Sequence, residues 1–236
     1  MGILSAINVR EIDSVKQHEL GFKYYDPISR GTYRYMRAGA VALAPGKIVI
    51  NPDVNSDAID KTVARTYAVG AKSIVVDVAG TIVLDAYAEG TFTVNDATGE
   101  GQTYRVVGNT GVTGAGEITV NLAEPITVAL TKDVSEYCLA ANDYNGVLIS
   151  IADQADVVMG VPTVTVTAAY YGWIQTGGVC SVLADEAVAK GLALTTGSSV
   201  VGAVEAADAA GEMVIGVALE ALVDTEYRRV KLTIDN

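Results

Sequence analysis

The chain has 236 residues, half of them apolar, and a formal charge of −12. It can bury a core in one large or two small domains, and its acidic balance excludes nucleic-acid binding through a basic face of the whole chain. No stretch approaches the roughly 18 uncharged apolar residues that a membrane span needs, and MGILSAINVREID lacks the basic start and long apolar run of a signal peptide.

In chain order, residues 1–22 read as an extended arm. Ile3, Leu4, Ile7, Val9 and Ile12 give only a weak helical stripe, and Lys16–Glu19 is polar. Leu20–Pro27 ends in a turn, because the residue before proline disfavours helix. Thr32–Arg37 alternates, with Tyr33, Tyr35 and Arg37 on one face and Arg34 and Met36 on the other, which predicts a strand. Lys47–Ile50 is a second strand. Residues 53–66 are polar and carry a cap-like Asn55-Ser56-Asp57, so they form either a short helical turn or a connection.

Composition shifts near residue 67, and strands are predicted at Ser73–Val78, Thr81–Leu84, Gly90–Asn95, Gln102–Gly108, Glu117–Leu122 and Thr127–Leu130. Asp96–Gly101 and Gly108–Gly111 have the glycine and asparagine content of hairpin loops. A second shift comes at Asn142–Gly146. Strands follow at Val147–Ile151, Thr163–Val166, Ala169–Gln175, Val200–Ala206, Met213–Ala218 and Tyr227–Ile234, the segment Met213–Ala218 reading as core. Asp185–Lys190 is too short for a stable helix and reads as a loop ending at Gly191. Strands at about ten-residue spacing with turn signals between them mark a small sandwich or barrel.

Twelve tyrosines against two phenylalanines and one tryptophan favour thin β-layers with tyrosine at their rims. Residues 1–65 hold nine Lys/Arg and seven Asp/Glu, a net of +2, and the remainder holds seven and 21, a net of −14. That split is either a solvated acidic surface or a weakly basic arm set against an acidic body. Cys138 and Cys180 have no CxxC neighbour. They read as buried apolar thiols, with their pairing left open.

Catalytic chemistry finds little support. His18, the only histidine, lies in the polar stretch KQHEL. No HExxH, GxSxG or P-loop motif occurs. Gly108–Gly116 is glycine-rich but lacks GK[ST], so it reads as a hairpin tip. The carboxylate pairs Asp53/Asp57, Asp57/Asp60, Asp133/Glu136 and Asp185/Glu186 fall in turns. Asp96–Glu100 lacks the alternating acids of a calcium loop. No catalytic residue, metal or cofactor is expected, and the chain is not expected to be an enzyme. Tyr24-Tyr25, Tyr33/Tyr35 and Tyr170-Tyr171 with Trp173 either close a β-core or act as interface anchors. Arginines are interleaved with them, and Tyr, Trp and Arg are enriched at interfaces. The candidate contact residues are Ile3, Leu4, Ile7, Arg10, Lys23, Tyr24, Tyr25, Arg30, Arg34 and Arg37.

Three patches carry a family likeness. Gly31–Lys47 (GTYRYMRAGAVALAPGK) is similar to an aromatic strand followed by a small-residue step. Ala169–Gly178 (AYYGWIQTGG) is similar to a YGWVQ-x-x-G strand. Val182–Asp185, Ala187–Leu194 and Ile215–Glu220 are similar to a VLADG…AAGAAL…IGRALE ending. With the strands between them they cover about half of the chain, and they resemble the head decoration, or cement, proteins of tailed bacteriophages. The resemblance implies a virion structural protein on the outer capsid surface. It also implies a homotrimer whose partner is the major capsid protein, with no nucleic acid or membrane partner and no catalytic residues. Shorter relatives run almost directly from the first patch to the YGW strand. The expected fold is therefore all-β: a discontinuous β-barrel or sandwich domain (23–66 plus 147–236), a second small β-domain inserted at 67–146, and an extended N-terminal arm (1–22) that lies across a neighbouring subunit. Another virion β-protein, of the tail tube or a fibre, and a carbohydrate-binding β-module are the alternatives. The second would show an exposed aromatic shelf around Trp173.

Overall fold

The computed structural model describes residues 7–151 and 157–235, and these are all-β apart from one short 3-10 turn, Ser56–Ala58. No helix among them is long and apolar enough to cross a membrane. The chain divides into two compact units, Met1–Pro52 with Tyr144–Asn236, and Asp53–Asp143. The main unit begins with β1 (Lys23–Asp26), β2 (Gly31–Ala38) and β3 (Val49–Ile50). The inserted unit holds β4 (Lys61–Thr62), β5 (Ser73–Val78), β6 (Thr91–Asp96), β7 (Thr103–Asn109), β8 (Gly116–Leu122) and β9 (Glu136–Ala140). The main unit resumes with β10 (Asn145–Ile149), β11 (Val158–Pro162), β12 (Tyr171–Leu183), β13 (Ala193–Thr196), β14 (Val204–Ala206), β15 (Gly216–Ala218) and β16 (Tyr227–Thr233).

Five strands of the main unit close on themselves in the order β2-β10-β3-β11-β12, and β12 pairs back onto β2. Only the β2–β10 pair is parallel, with Asn145 opposite Arg37 and Val147 opposite Ala38. Every strand of this ring supplies residues to one core: Met36 and Ala38, Val147, Val49, Met159, and Ile174. Leu43 and Val166 join that core and bridge each other. A ring this small has its interior filled by side chains. At 13 residues, β12 outruns the ring, and its second half pairs with β16, which leads on to β15, β13 and β14. Val182, Leu194, Val204, Ile215, Val230 and Leu232 form the core there.

The alternation of β2 is real, and it separates two interiors. Met36 points into the ring, while Tyr33 and Tyr35 join Trp173 and Val9 in a cluster on the other face. Residues 7–22 cover that cluster. Asp13 bridges Tyr171, the Gly21 amide donates to the Tyr35 carbonyl at 2.8 Å, and the Gln17 amide donates to the Tyr35 hydroxyl at 3.0 Å. The reading of residues 1–22 as an arm lying across a neighbour is thereby corrected for residues 7–22, which pack on their own sheet because they shield a Trp–Tyr wall.

In the inserted unit the strand order is β4-β9-β6-β7-β8-β5, and a Val63–Val76 bridge nearly closes the ring. Its core holds Ile74, Val76, Phe92, Val94, Val106, Ile118, Val120, Tyr137 and Leu139. Residues 53–66, assigned to the main domain by sequence, lie in this unit. Asn55 caps the 3-10 turn, β4 pairs with β9, and Ala58 and Val63 are buried in its core. Three predicted strands are single bridges instead: Ile82–Val112, Tyr67–Leu130 and Leu43–Val166. Met213 and Val214, read as core, are exposed.

Candidate functional site

The predicted contact residues do not form one surface. Arg34 grips Asp235 with two hydrogen bonds, Nε–Oδ2 at 2.6 Å and Nη2–Oδ1 at 2.8 Å, and donates a third to the Gly21 carbonyl at 2.7 Å. Lys23 lies 3.4 Å from the same carboxylate. The Arg34 guanidinium holds Asp235 below the usual carboxylate range. Arg37 stacks over Tyr171 and donates to the Ala169 carbonyl at 3.3 Å. Tyr24 packs 6.0 Å from Trp173. Lys23, Tyr24, Arg34 and Arg37 thus bind within the chain. Arg10, Tyr25 and Arg30 are exposed, Ile7 is half-buried, and Ile3 and Leu4 lie outside the described residues. His18, read as a surface residue, is half-buried in the same aromatic box, 5.1 Å from Tyr35 and 5.3 Å from Trp173.

The main unit carries a groove of about 900 Å³. Its apolar lining includes Val9, Ile28, Pro45, Pro162, Val179 and Tyr227. Ile28 is 89% exposed, Val179 55% and Tyr227 49%. Large apolar side chains left this open beside a concavity make the groove the candidate site. The β1–β2 turn presents Ile28. The Asp26 carboxylate accepts the Ile28 and Ser29 amides at 3.2 and 3.0 Å, and its hydrogen bonds with Ser29 hold it below the usual range. This local cap fixes the turn that forms one wall.

The floor is polar. Ser29 Oγ and the Tyr33 hydroxyl lie 3.1 Å apart, and the Tyr33 hydroxyl donates to Gln175 Oε1 at 3.4 Å. The Gln175 carboxamide donates to the Gly177 and Val179 carbonyls at 2.9 and 3.0 Å. Thr163 Oγ1 is buried there without a partner. Burial pushes the Cys180 thiol up to about 12 and raises Tyr33 as well, so both stay neutral. What the groove offers is shape, apolar contact, a few hydrogen bonds to neutral groups and the exposed side chain of Arg10. Both cysteines are free, Cys180 buried and Cys138 half-buried. Among the described residues, no group of three or more His, Cys, Asp or Glu side chains is placed to hold a metal ion.

Sequence reasoning missed Ile28, Gln175, Val179 and Tyr227. The available signal was Gly177-Gly178 in a strand pattern, which indicates a bulge or a close backbone approach. Both occur. The β12–β2 register shifts between Gln175 and Gly177, and a Cβ on Gly178 (φ +87) would lie 2.8 Å from the Arg30 carbonyl. No family model, curated protein or solved structure matches the chain.

Proposed function

We propose that this chain is a head-surface protein of a tailed bacteriophage, a trimer that binds the outside of the capsid lattice and stabilises it mechanically. One observation carries the reading. The three patches that resemble the decoration family are dispersed between residues 31 and 220, yet all of them fall in the main unit. The first and second pair directly, β2 against β12 from Tyr171–Arg37 to Gly177–Thr32, and the third continues the same sheet through β16, β15 and β13. The likeness therefore describes one folded body, and residues 53–143 are an addition to it. Subunits seated at capsomer junctions bury further area, which offsets the internal pressure of packaged DNA. Trp173 is 2% exposed and offers no aromatic shelf, which weighs against carbohydrate binding.

The test is cosedimentation of the purified protein with expanded phage capsids that lack it. Saturable binding is expected, with a plateau at a fixed number of trimers per shell. A truncation removing residues 1–6 tests the arm contacts of Ile3 and Leu4. Removing 1–22 would also uncover Trp173 and confuse binding with folding. The absence of saturable binding by the full chain would sink the proposal.

A further inference from the structure

The groove contains an unpaired strand edge, and the geometry points to a binding site for an extended polypeptide that adds a strand to β12. In an antiparallel pair the backbone groups of successive residues point alternately toward and away from the partner. After the bulge, the even residues of β12 face the β16 side. The Thr176 carbonyl accepts the Ile234 amide at 3.1 Å, and the Ala184 amide donates to the Glu226 carbonyl at 2.9 Å. The odd residues face the other way. The Gly177 and Val179 carbonyls accept from the Gln175 side chain, and the Leu183 amide donates to the Gly46 carbonyl at 2.9 Å.

Along this odd side β2 ends at Gly31, opposite Gly177–Gly178, and Gly46 closes the far end at Leu183. Between them, the Val179 and Ser181 N–H groups point into the groove, while the Ser181 carbonyl accepts the Cys180 thiol at 3.6 Å. No strand among the described residues pairs with them. The Gln175 carboxamide stands in for a missing strand at two carbonyls and leaves the amides open. An unpaired edge in a concave apolar setting is the geometry of strand addition, where main-chain hydrogen bonds give affinity and alternate side chains give specificity.

The lining defines the occupant. Ile7, Val9, Ile28, Pro45 and Tyr227 suit a segment with apolar residues at alternate positions. Among the described lining residues only Arg10 and Asp26 are charged, and Asp26 is occupied by its own turn, so the segment carries no basic side chain and at most an acidic one facing Arg10. This inference concerns the class of partner, a protein presenting an extended strand, and it stands whether or not that protein is a capsid subunit.

Amide hydrogen exchange tests it in two steps. In the free protein, Val179 and Ser181 should exchange at least about tenfold faster than Cys180 and Val182, whose amides face β16. On titration with the peptide acetyl-Thr-Val-Thr-Val-Thr-amide, exchange at Val179 and Ser181 should slow by about tenfold or more. A peptide of the same sequence, N-methylated at every residue, has no edge N–H left and should give no protection. Ser181→Pro removes one edge N–H and should abolish protection, while Ser181→Ala should behave as the native chain does. If the proline variant does not fold, the two peptides on the native chain still decide. The inference is overturned by slow exchange at Val179 and Ser181 in the free protein, by equal protection from the N-methylated peptide, or by no protection at saturation. Failure to bind capsids, with these results intact, would overturn the function proposed above and leave the strand site standing.

Discussion

Asp235 shows how much of this fold rests on one carboxylate near the end of the chain. It takes two hydrogen bonds from Arg34 and an ion pair from Lys23, and it lies 3.3 Å from the Thr176 hydroxyl at the β12 bulge. The Arg34 and Asp235 side chains are 26% and 17% exposed, so solvent screens them only in part. Asp235→Asn should cost about 1–2 kcal/mol near neutral pH, the scale of a partly buried charge-assisted pair. The pH dependence follows from a folded-state pKa held below the unfolded value of about 3.9. Stability from such a group is complete above the unfolded pKa and is lost as pH falls through the folded one. The gap between native chain and variant should therefore stay constant from about pH 7 to about pH 5, narrow below about pH 4, and close in stronger acid. Urea unfolding at stepped pH measures it. A gap that persists unchanged into acid would show that the carboxylate charge contributes nothing.

At the scale of the element, β12 organises the main unit, and its bulge is where sequence legibility ran out. Ser73–Val78 was readable because a strand with one buried face alternates, here exposed, buried, half-buried, buried, half-buried, buried. Thr32–Arg37 was readable for the same reason. β12 was predicted only to Gln175, because Gly177-Gly178 reads as an end and because the stretch Gly172–Gly177 is buried on both faces and carries no period. The ring closes through β3 and β11, which are two and five residues long and have no periodic signature of their own. The Arg34–Asp235 pair spans 201 positions, so the basic patch looked free in sequence.

The bulge is pinned by Gln175, which is 3% exposed and donates to two carbonyls that no strand reaches. Gln175→Ala should cost about 1–3 kcal/mol, since it strands acceptors in a half-buried site. Gln175→Glu should be at least as costly, because a carboxylate cannot donate to those carbonyls. Thermal unfolding followed by Trp173 emission reads both. A Glu variant as stable as the native chain would refute the donor role.

At the scale of the whole chain, two separately cored units follow from one interrupted sequence. Every core cluster draws its buried residues from a single unit: one from 53–143, and three from the remainder. Insertion of a domain requires that the host's two ends meet without the guest. Here they do, because a Cβ placed on Gly146 would lie 3.8 Å from Pro52 Cγ, and both residues belong to the main unit. Replacing residues 53–143 with about three Gly/Ser residues should therefore leave a folded main unit. Trp173 is the only tryptophan and lies buried in that unit, so its emission reports the main unit alone, while far-UV circular dichroism reports strands of both. The excised chain should keep the blue-shifted emission and cooperative unfolding of the native chain, and residues 53–143 expressed separately should unfold cooperatively too. In the intact chain, the emission and dichroism transitions should then separate wherever the two units differ in stability, because a single two-state transition requires the probes to coincide. If the excised chain shows the red-shifted emission of solvent-exposed tryptophan, residues 53–143 are needed to hold the main unit together, and the account of them as an insertion fails.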